Sequence, residues 1–370
     1  MQPSEHLKQS FRIVGLLATV LVVCIHYRSA DTLGCGLQGW AQEWIVNGLA
    51  RVAVPLFAFA AGFFYFLSAT GTLANYASKL RQRVRTVALP YLLMSLLALT
   101  SWASLQLCVG TPITLDTREI ASRLLLHPMA EQLWFLRDLM MLVLIAPLIG
   151  AALRRFTGPT LMLLVALWVG EIQFTPLVAG WYLLNSETLF FFVLGAYCVT
   201  HMQPLERLVA CGARTRLVLI SVWAAVLTAR VWIEPEFDLW YVQQYTAVSL
   251  LLQKLSIAVG AAALLAIAGY LAADARRAAS WRYWAGCSFM VYLIHEFPLR
   301  EGLERGLGQM VATEVRFWLA APLAILICFA VAVAADMFSP TLAALLTGGR
   351  MPGQLARRST GPVLSQNRSV

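Results

Sequence analysis

The chain has 370 residues, of which 59% are hydrophobic and 13% are charged, and its mean hydropathy is +0.70. This balance excludes a soluble globular domain and predicts a membrane protein with several spans. The formal net charge is +9 at pH 7, and no other feature of the sequence supports a nucleic-acid partner. We therefore expect the excess of basic residues to reflect membrane topology.

Ten segments are candidates for membrane spans, because about twenty apolar residues are needed to cross the hydrocarbon core of a bilayer. The second and the ninth contain charged residues. The sequence predicts an all-α, polytopic membrane helical bundle with about ten transmembrane helices, surrounded by the lipid bilayer. The segments cover roughly residues 11–28, 47–68, 86–108, 133–153, 158–177, 184–202, 215–233, 246–272, 283–302 and 316–340.

The charges of the loops alternate in the order that ten spans require. Basic residues gather before span one and in every second loop after it, whereas the other loops are mixed or acidic. Because cytoplasmic loops collect Lys and Arg, we expect both termini to be cytoplasmic and the protein to lie in the plasma membrane, which is the inner membrane of a bacterium. Residues 1–340 form one predicted membrane domain, and residues 341–370 are a predicted flexible cytoplasmic tail.

Span one carries the most informative residue, His26, in an otherwise apolar run that begins near Arg12. An ionisable side chain within a bilayer is costly and by default marks a proton path or a reaction site. At about 1.5 Å and 100° per residue, Arg12 lies roughly 21 Å from His26 in depth and on nearly the same helix face. After this span, Cys35 and Cys108 fall in predicted extracytoplasmic loops, where they either pair or remain two free thiols.

A polar and aromatic set is predicted in the outer half of the bundle. Arg51 begins span two, Trp134 opens span four, Glu187 begins span six and Lys254 lies inside span eight. These residues fit a substrate-binding region. The alternatives are that Arg51 extends its charged group to the membrane surface and that the tryptophan belongs to an interfacial aromatic belt.

Arg81, Arg83 and Arg85 stand just before Pro90 and Tyr91, at the predicted cytoplasmic end of span three. Arginines bind phosphate groups through charge-assisted hydrogen bonds, so this run is a candidate phosphate site. The alternative is a basic anchor that only fixes the topology.

Arg137 and Asp138 follow Trp134 a few residues into span four. Such a pair is partly removed from water and needs compensation. It is either part of a reaction site or an ion pair that holds span four to a neighbour.

Span nine contains Tyr292 and His295. Counted from the predicted cytoplasmic start of this span, His295 lies about 20 Å along the helix, a depth similar to that of His26. Two histidines from distant segments at one level predict a shared site, whereas His295 alone is more typical of a hydrogen-bonded packing residue. The cysteine spacing is not typical of a metal site, so we expect no metal.

Five of these features resemble the acyltransferase-three family of integral membrane proteins, in the family's order. They are the helix from Arg12 to His26, the stretch from Arg51 to Gly62, the basic run ending at Pro90-Tyr91, Leu133-Trp134-Phe135-Leu136, and Tyr292-Leu293-Ile294-His295. The resemblance spans about residues 8–340. It implies a ten-helix membrane O-acyltransferase that moves an acyl group, usually acetyl from acetyl-CoA, onto a hydroxyl of a surface glycan or related acceptor.

The resemblance also implies roles for individual residues. His26 corresponds to the family's catalytic histidine, and the arginines before Pro90 correspond to its CoA-side basic motif. Two positions depart from the family pattern. Gly15 stands where the family usually has an arginine eleven positions before the histidine, with Arg12 one turn earlier, and Ala61 stands where many members have serine before Gly62.

The expected chemistry needs a base for the acceptor hydroxyl and donors for a developing oxyanion. We assign the base to His26 and name His295, Arg51, Arg137 and Asp138 as further catalytic candidates. The phosphates of acetyl-CoA are expected at Arg12, Arg81, Arg83 and Arg85. A glycan or lipid-linked sugar acceptor is expected at Trp134, Glu187, Lys254 and Tyr292.

The competing interpretation is a transporter of a glycan precursor or small organic acid, in which the intramembrane His, Lys and Arg residues form the pathway. No inverted repeat in the sequence supports it. The identity of the acceptor, the size of the acyl group, the choice between direct transfer and an acyl-enzyme, and the oligomeric state are left open by the sequence.

Overall fold

The computed structural model describes residues 2–28, 36–110, 112, 115–175, 177–178, 181–240 and 243–353. The all-α prediction is confirmed, since helices make up the bundle and the strands described are one antiparallel pair of two residues each, β1 (Leu177–Val178) and β2 (Trp181–Tyr182). The helices are α1 (Glu5–His26), α2 (Gly36–Glu43), α3 (Ala53–Leu67), α4 (Leu73–Arg83), α5 (Leu89–Val109), α6 (Thr117–Leu125), α7 (Trp134–Arg155), α8 (Thr157–Val169), α9 (Ser186–Thr200), α10 (Met202–Val209), α11 (Ala213–Ile233), α12 (Ala247–Ala272), α13 (Ala278–Ile294), α14 (Leu299–Gly308), α15 (Thr313–Phe338) and α16 (Pro340–Thr347).

The number of membrane spans is smaller than predicted when helix length is applied as a test. Among the described residues, seven helical runs are long and apolar enough to cross a membrane, and there are up to eight if α9 and α10, which meet at 98°, form one bent span. The helices α8 and α13 have only 13 and 17 residues. At about 1.5 Å per residue, both are shorter than about 30 Å of hydrocarbon. The protein is a multi-pass membrane protein, and the count of ten and the side of each terminus stay predictions.

Helix α1 lies inside the bundle, with α3, α12 and α13 packed around it. It begins after Ser4, whose hydroxyl accepts a hydrogen bond from the backbone N–H of Leu7 and donates one to Glu206, just beyond span six. An N-cap of this kind contributes about 1 kcal/mol to helix stability. The Glu206 contact therefore fixes the start of α1, and the depth of every residue along it, against α10.

Helices α3 and α9 approach each other at two glycines. A Cβ atom added to Gly62 would lie 2.0 Å from the carbonyl oxygen of Phe192, and one added to Gly195 would lie 2.1 Å from the carbonyl oxygen of Phe59. Small residues at such crossings let two backbones come close in a membrane bundle. Gly62, the residue after the Ala61 departure noted above, therefore has a packing role.

Part of the segment predicted as a flexible tail is ordered against the bundle. Residues Pro340–Thr347 form α16, and the Met351 side chain beyond it is fully buried. The Gly, Pro and Ser content that suggested flexibility instead supplies turns, because Gly348 and Gly349 both have positive φ. Residues 354–370 lie outside the described residues.

The pairing of Cys35 with Cys108 stays a prediction. Cys108 is exposed at the end of α5, and Cys35 lies outside the described residues.

Candidate active site

The structure brings the two histidines together. His26 is the last residue of α1, and His295 follows the last residue of α13. Their ring centroids lie 4.9 Å apart with an interplanar angle of 65°. The two helices run in parallel, since the start of α13 also meets the start of α1, where the Gln9 side chain donates to the carbonyl of Ala278. Equal depth along parallel helices is therefore the reason why the two rings meet.

His295 is held in one orientation. Its side chain is fully buried, and its Nδ1 lies 2.8 Å from the carbonyl oxygen of Tyr292. Because a carbonyl only accepts, Nδ1 carries the hydrogen and Nε2 presents its lone pair. Nε2 is buried and has no hydrogen-bond partner among the residues that the structure describes. An acceptor left bare in this way is available to a proton donor that enters the site.

Three hydrogen bonds hold the end of α13 in place. The Tyr27 hydroxyl donates to the carbonyl of His295 at 2.7 Å. The Gln132 side-chain amide donates to the carbonyl of Leu293 at 3.0 Å, and the Tyr292 hydroxyl donates to the carbonyl of Gln132. The segment after α1 and the segment before α7 thus both position His295. Gln132 was not among the predicted site residues.

A central cavity of about 1000 Å³ lies between α1, α3, α7 and α13. Its lining changes in character from one end to the other. Arginines mark one end, which we call the basic end, and aromatic and apolar side chains line the rest. The lining residues are Phe11, Arg12, Gly15, Thr19, Phe57, Ala61, Arg83, Phe135, Leu136, Leu139, Ala279, Arg282, Tyr283, Ala285, Gly286, Ser288, Phe289, Tyr292, Arg350 and Pro352.

Away from the basic end, the central cavity reaches Tyr292, whose ring is next to that of His295. The ring centroid of Tyr292 lies 5.9 Å from that of His295. Phe57 and Phe135 flank Tyr292 at 6.4 and 6.5 Å, and Phe289 stacks on it at 6.1 Å. Of these four rings, Tyr292 is the one with a ring contact to His295, so it connects the wall of the central cavity to the histidine pair. Tyr292, predicted to bind the acceptor, therefore lines the cavity that begins at the arginines.

The basic end of the central cavity contains Arg12, Arg83, Arg282 and Arg350. Within the described part of the chain, none of the four forms a salt bridge with a carboxylate. Four arginines at one end of a cavity, without salt bridges to carboxylates of the described residues, form a site that favours a ligand with several negative charges.

Two of the predicted phosphate-binding residues, Arg12 and Arg83, line the central cavity, whereas Arg81 and Arg85 are exposed and are not among the lining residues. Alternate residues on a helix are turned by about 200°, so Arg81, Arg83 and Arg85 cannot all face one side. The residues Val84–Ala88 also form a π-helical turn, which changes the helix phase after Arg83. Arg282 and Arg350, which were not predicted, take the other two places.

Arg137 and Asp138 form a buried ion pair with an Nη2 to Oδ1 distance of 3.0 Å. Arg137 also donates to the carbonyls of Leu126 and Tyr182, at 2.8 and 2.6 Å, and Asp138 accepts from the backbone N–H of Asn185 at 3.1 Å. Neither side chain lines the central cavity. These contacts correspond to the alternative stated for this pair, because they join α7 to the segments before α7 and α9.

Arg51 lies within a polar network rather than extending to the surface. Its guanidinium donates to the side-chain oxygen of Asn47 at 2.5 Å and lies 5.8 Å from the centroid of the Trp240 ring. Trp240 in turn lies 6.0 Å from Trp134. Arg51 also interacts electrostatically with His26. Of the predicted catalytic candidates Arg51, Arg137 and Asp138, Arg51 is thus the one with an electrostatic effect on His26.

A second cation near His26 is Arg300, which was not predicted. It interacts electrostatically with His26, and its Nε donates to Glu304 at 2.8 Å while Nη1 lies 3.8 Å from Glu296. Glu296, Arg300 and Glu304 are spaced four residues apart. That spacing was a signal in the sequence for an ion-paired helix face beside His295.

Lys254 and Glu187 contact each other instead of standing free for a substrate. Lys254 Nζ is bonded to Glu171 and lies 3.6 Å from Glu187. Glu187 also accepts from the indole N–H of Trp168 at 2.8 Å. Glu187 and Arg51 line a small pocket together with Trp240. Of this pair, Glu187 alone therefore lines the pocket that also contains Arg51.

Comparisons with known proteins give two findings. A family model described as an acyltransferase domain matches residues 15–337. A protein of Rhizobium meliloti (strain 1021), the succinoglycan biosynthesis protein ExoH, is 26% identical over 214 residues, which are 55% of this chain and 56% of the relative. The match thus spans about half the length of that relative. No solved structure matches the chain.

Proposed function

Since the chain belongs to the acyltransferase-three family of membrane proteins, we propose that it moves an acyl group from acyl-CoA to a hydroxyl of a cell-envelope glycan or lipid-linked sugar. One observation carries the proposal. A single cavity extends from four arginines to an aromatic cluster in contact with a histidine pair. We propose acetyl as the acyl group and the bacterial inner membrane as the location, with the basic end facing the cytoplasm.

The central cavity suits the two chemically different halves of acyl-CoA. The nucleotide half carries phosphate groups, for which guanidinium groups are favoured partners. The pantetheine arm is less polar and matches the wall formed by Phe57, Phe135 and Phe289. A volume of about 1000 Å³ lies at the upper end of the range of small-molecule and cofactor pockets. This arrangement brings the thioester from the basic end toward Tyr292 and removes the need for the donor to cross the whole membrane.

The proposed reaction uses His26 as the base. The acceptor hydroxyl oxygen bonds to the thioester carbonyl carbon while His26 takes the hydroxyl proton, the carbon–sulfur bond breaks, and the CoA thiolate leaves and is then protonated. A positioned base of this kind contributes about a hundred- to ten-thousand-fold to the rate. Negative charge that develops on the carbonyl oxygen is stabilised by Arg51, one of two cations that interact electrostatically with His26 and the one that lies beside Trp240.

The role of His295 follows from its fixed tautomer. With Nδ1–H donating to the carbonyl of Tyr292, its Nε2 is a hydrogen-bond acceptor without a partner among the described residues, in a ring whose centroid lies 4.9 Å from that of His26. It therefore accepts a hydrogen bond either from the acceptor hydroxyl or from His26 in its protonated form. In both cases His295 stabilises the proton that the reaction moves.

We propose that the acceptor arrives from the end of the bundle where α1 ends at His26 and α13 ends before His295. Trp134 and Trp240 lie together there, next to Arg51 and Glu187. Aromatic rings combined with a few directional polar groups suit a sugar, which has apolar faces and polar edges. The name of the matching relative, a succinoglycan biosynthesis protein, supports a glycan acceptor.

The decisive test is whether the cell-envelope glycans lose an acyl group when the gene is deleted and regain it when the gene is restored. The gene is deleted in its host and complemented with wild type or His26→Ala, and surface and periplasmic glycans are compared by mass spectrometry. Restoration by wild type alone, with His26→Ala present at the same level in membranes, supports the reaction and the base. Restoration by both proteins overturns the role of His26. An unchanged glycan, together with uptake of unmodified glycan or organic acid into vesicles without acyl-CoA, favours a transporter.

The same preparation separates direct transfer from an acyl-enzyme. Purified protein is exposed briefly to labelled acetyl-CoA without acceptor, quenched, digested and searched for an acylated peptide. A labelled His26 peptide that disappears when acceptor is added excludes direct transfer. Transfer at the full rate with no labelled peptide excludes a stable acyl-enzyme.

A further inference from the structure

The segment that follows α16 closes one side of the basic end. We call residues 348–353 the C-terminal strap. The family model ends at residue 337, so the strap and α16 lie beyond the matched domain. Yet Arg350 and Pro352 are both part of the cavity wall. The strap thus adds to the central cavity from outside the residues that the family model matches.

The strap is fixed by tight packing at three places. Gly348 has a φ of +63°, and a Cβ atom added there would lie 2.5 Å from Thr86 Cα. A Cβ atom added to Gly286 on α13 would lie 2.9 Å from Pro352 Cγ. The backbone N–H of Gly353 donates to the carboxylate of Asp336 at 3.0 Å. Together with the buried Met351, these contacts hold the strap against the π-helical turn before α5 and against α13 and α15.

Arg350 presents its charge to the central cavity. Its guanidinium carbon lies 3.9 Å from the centroid of the Phe289 ring, on the cavity wall. A guanidinium that lies over an aromatic ring is held by the ring face, and its N–H groups remain free to donate hydrogen bonds to another group. Within the residues that the structure describes, Arg350 forms no hydrogen bond or salt bridge, so these donors are available to a ligand.

The electrostatic environment of Arg350 also favours an anion. Burial, and then the nearby cation Arg83, lower the pKa of Arg350 to about 9. The group is still protonated at neutral pH, so two guanidinium groups repel each other in a partly enclosed space. A phosphate between them would replace this repulsion with two charge-assisted contacts.

We propose that Arg350, held by the C-terminal strap, is a donor-recognition residue that binds a phosphate of the nucleotide half of acyl-CoA. This inference rests on the proposed function, because it concerns the same cavity and the same donor. It makes the strap a specificity element that distinguishes acyl-CoA from a thioester without a nucleotide. Arg350 does not touch the histidine pair, because it contacts Phe289, and Tyr292 lies between Phe289 and His295.

The test compares two donors with three proteins. Wild type, Arg350→Ala and Arg350→Lys are purified in detergent, and acyl transfer is measured with acetyl-CoA and with acetyl-pantetheine, which has no phosphate. Arg350→Ala is expected to raise KM for acetyl-CoA roughly 10- to 100-fold, the value of one or two hydrogen bonds between charged groups, with kcat nearly unchanged. Its KM for acetyl-pantetheine should equal that of wild type. Arg350→Lys should lie between the two proteins with acetyl-CoA.

Controls keep folding apart from recognition. Arg277→Ala removes an exposed arginine that is paired with Asp274 and does not line the cavity, and its KM for acetyl-CoA should match that of wild type. If Arg350→Ala lowers activity with both donors equally, or leaves both unchanged, the inference is wrong. If Arg350→Ala does not fold, Arg350→Lys decides: an unchanged KM for acetyl-CoA in that stable variant overturns the recognition by a planar guanidinium.

The failure of the proposed function gives a different result. In that case wild type transfers an acyl group from neither donor, and isothermal titration of wild type with CoA shows no binding. If wild type does bind CoA and does transfer acetyl while Arg350→Ala keeps a normal KM, only the role of Arg350 is overturned.

Discussion

The ring centroids of His26 and His295 lie 4.9 Å apart, with the rings at 65° to each other. Tyr27, the residue after His26, donates a hydrogen bond to the carbonyl of His295, 268 positions along the chain. The ring contact matters because Nε2 of His295 has no hydrogen-bond partner among the described residues. A buried acceptor without a partner costs free energy. Such a cost is typical of a site that is completed by a substrate.

The first prediction concerns this pair. His26→Ala should reduce the rate of acyl transfer by about a hundred- to ten-thousand-fold, the usual contribution of a positioned base. His295→Ala should also reduce the rate, and the double variant should be no worse than His26→Ala, since groups that act as one unit are not additive. The measurement is kcat of purified protein with acetyl-CoA and acceptor.

The matched control for the histidines is His201→Ala. His201 is exposed and bonded only locally, near Thr200 and Tyr197. Its removal should leave kcat unchanged. Additive losses in the double variant would contradict a shared role for His26 and His295.

The second prediction separates the three neighbouring arginines. Arg83→Ala should raise KM for acetyl-CoA about tenfold or more, because Arg83 lines the central cavity. Arg81→Ala and Arg85→Ala should each change it less than about twofold, because both side chains are exposed. The measurement is KM for acetyl-CoA with each variant.

The outcome for these arginines also tests the sequence prediction directly. An equal rise in KM for acetyl-CoA in all three variants would support the basic run as one phosphate site. It would contradict the prediction that Arg83, the one of the three that lines the central cavity, alone binds the donor. Equal protein levels in the membrane are the required control, because Lys and Arg at this position also set topology.

The sequence predicted the helical segments because hydropathy and length depend only on neighbouring residues. It could not predict that α9 ends at Thr200 and turns by 98° into α10, since that bend depends on what the helices pack against. It predicted that His26 and His295 share a level because depth follows from counting residues along two helices. Whether the two helices are neighbours is a property of the tertiary structure.

The cavity arginines show where the sequence was insufficient. Arg282 and Arg350 appear in the sequence as topology signals, in a loop and in a Gly-rich tail. Their place in the central cavity depends on α13 and on the C-terminal strap folding against it. Arg137 and Asp138 show the reverse case, because a charged pair in a span suggests chemistry but here contacts three backbone groups in the segments before α7 and α9.

The third prediction concerns stability. Gly62→Ala places a Cβ atom about where the carbonyl oxygen of Phe192 lies, at 2.0 Å. A backbone atom cannot move aside cheaply, so the variant should lose about 1–3 kcal/mol of stability or more. Thermal unfolding in detergent should show a lower Tm. Gly302→Ala is the control, because a Cβ there meets nothing within 4 Å, and its Tm should not fall. A normal Tm for Gly62→Ala would contradict the close approach of α3 and α9.

The last prediction concerns the departure of this chain from the family pattern at Gly15. Arg12 and Gly15 lie one helical turn apart, and both line the central cavity. Among the residues that the structure describes, the Arg12 side chain forms one hydrogen bond, to Gln9 at 3.1 Å. We therefore expect Arg12 to supply the charge that an arginine at position 15 supplies elsewhere. Arg12→Ala should raise KM for acetyl-CoA about tenfold.

Position 15 offers a rescue of that loss. A Cβ atom at Gly15 meets nothing within 4 Å, so Gly15→Arg can extend into the cavity without a clash, and replacing glycine inside a helix also favours the helix by about 0.5–1 kcal/mol. The double variant Arg12→Ala with Gly15→Arg should recover most of the lost affinity for acetyl-CoA, whereas Arg12→Ala with Gly15→Ala should not. Equal KM values for the two double variants would show that an arginine at position 15 does not replace Arg12. An unchanged KM for Arg12→Ala itself would show that Arg12 serves topology alone.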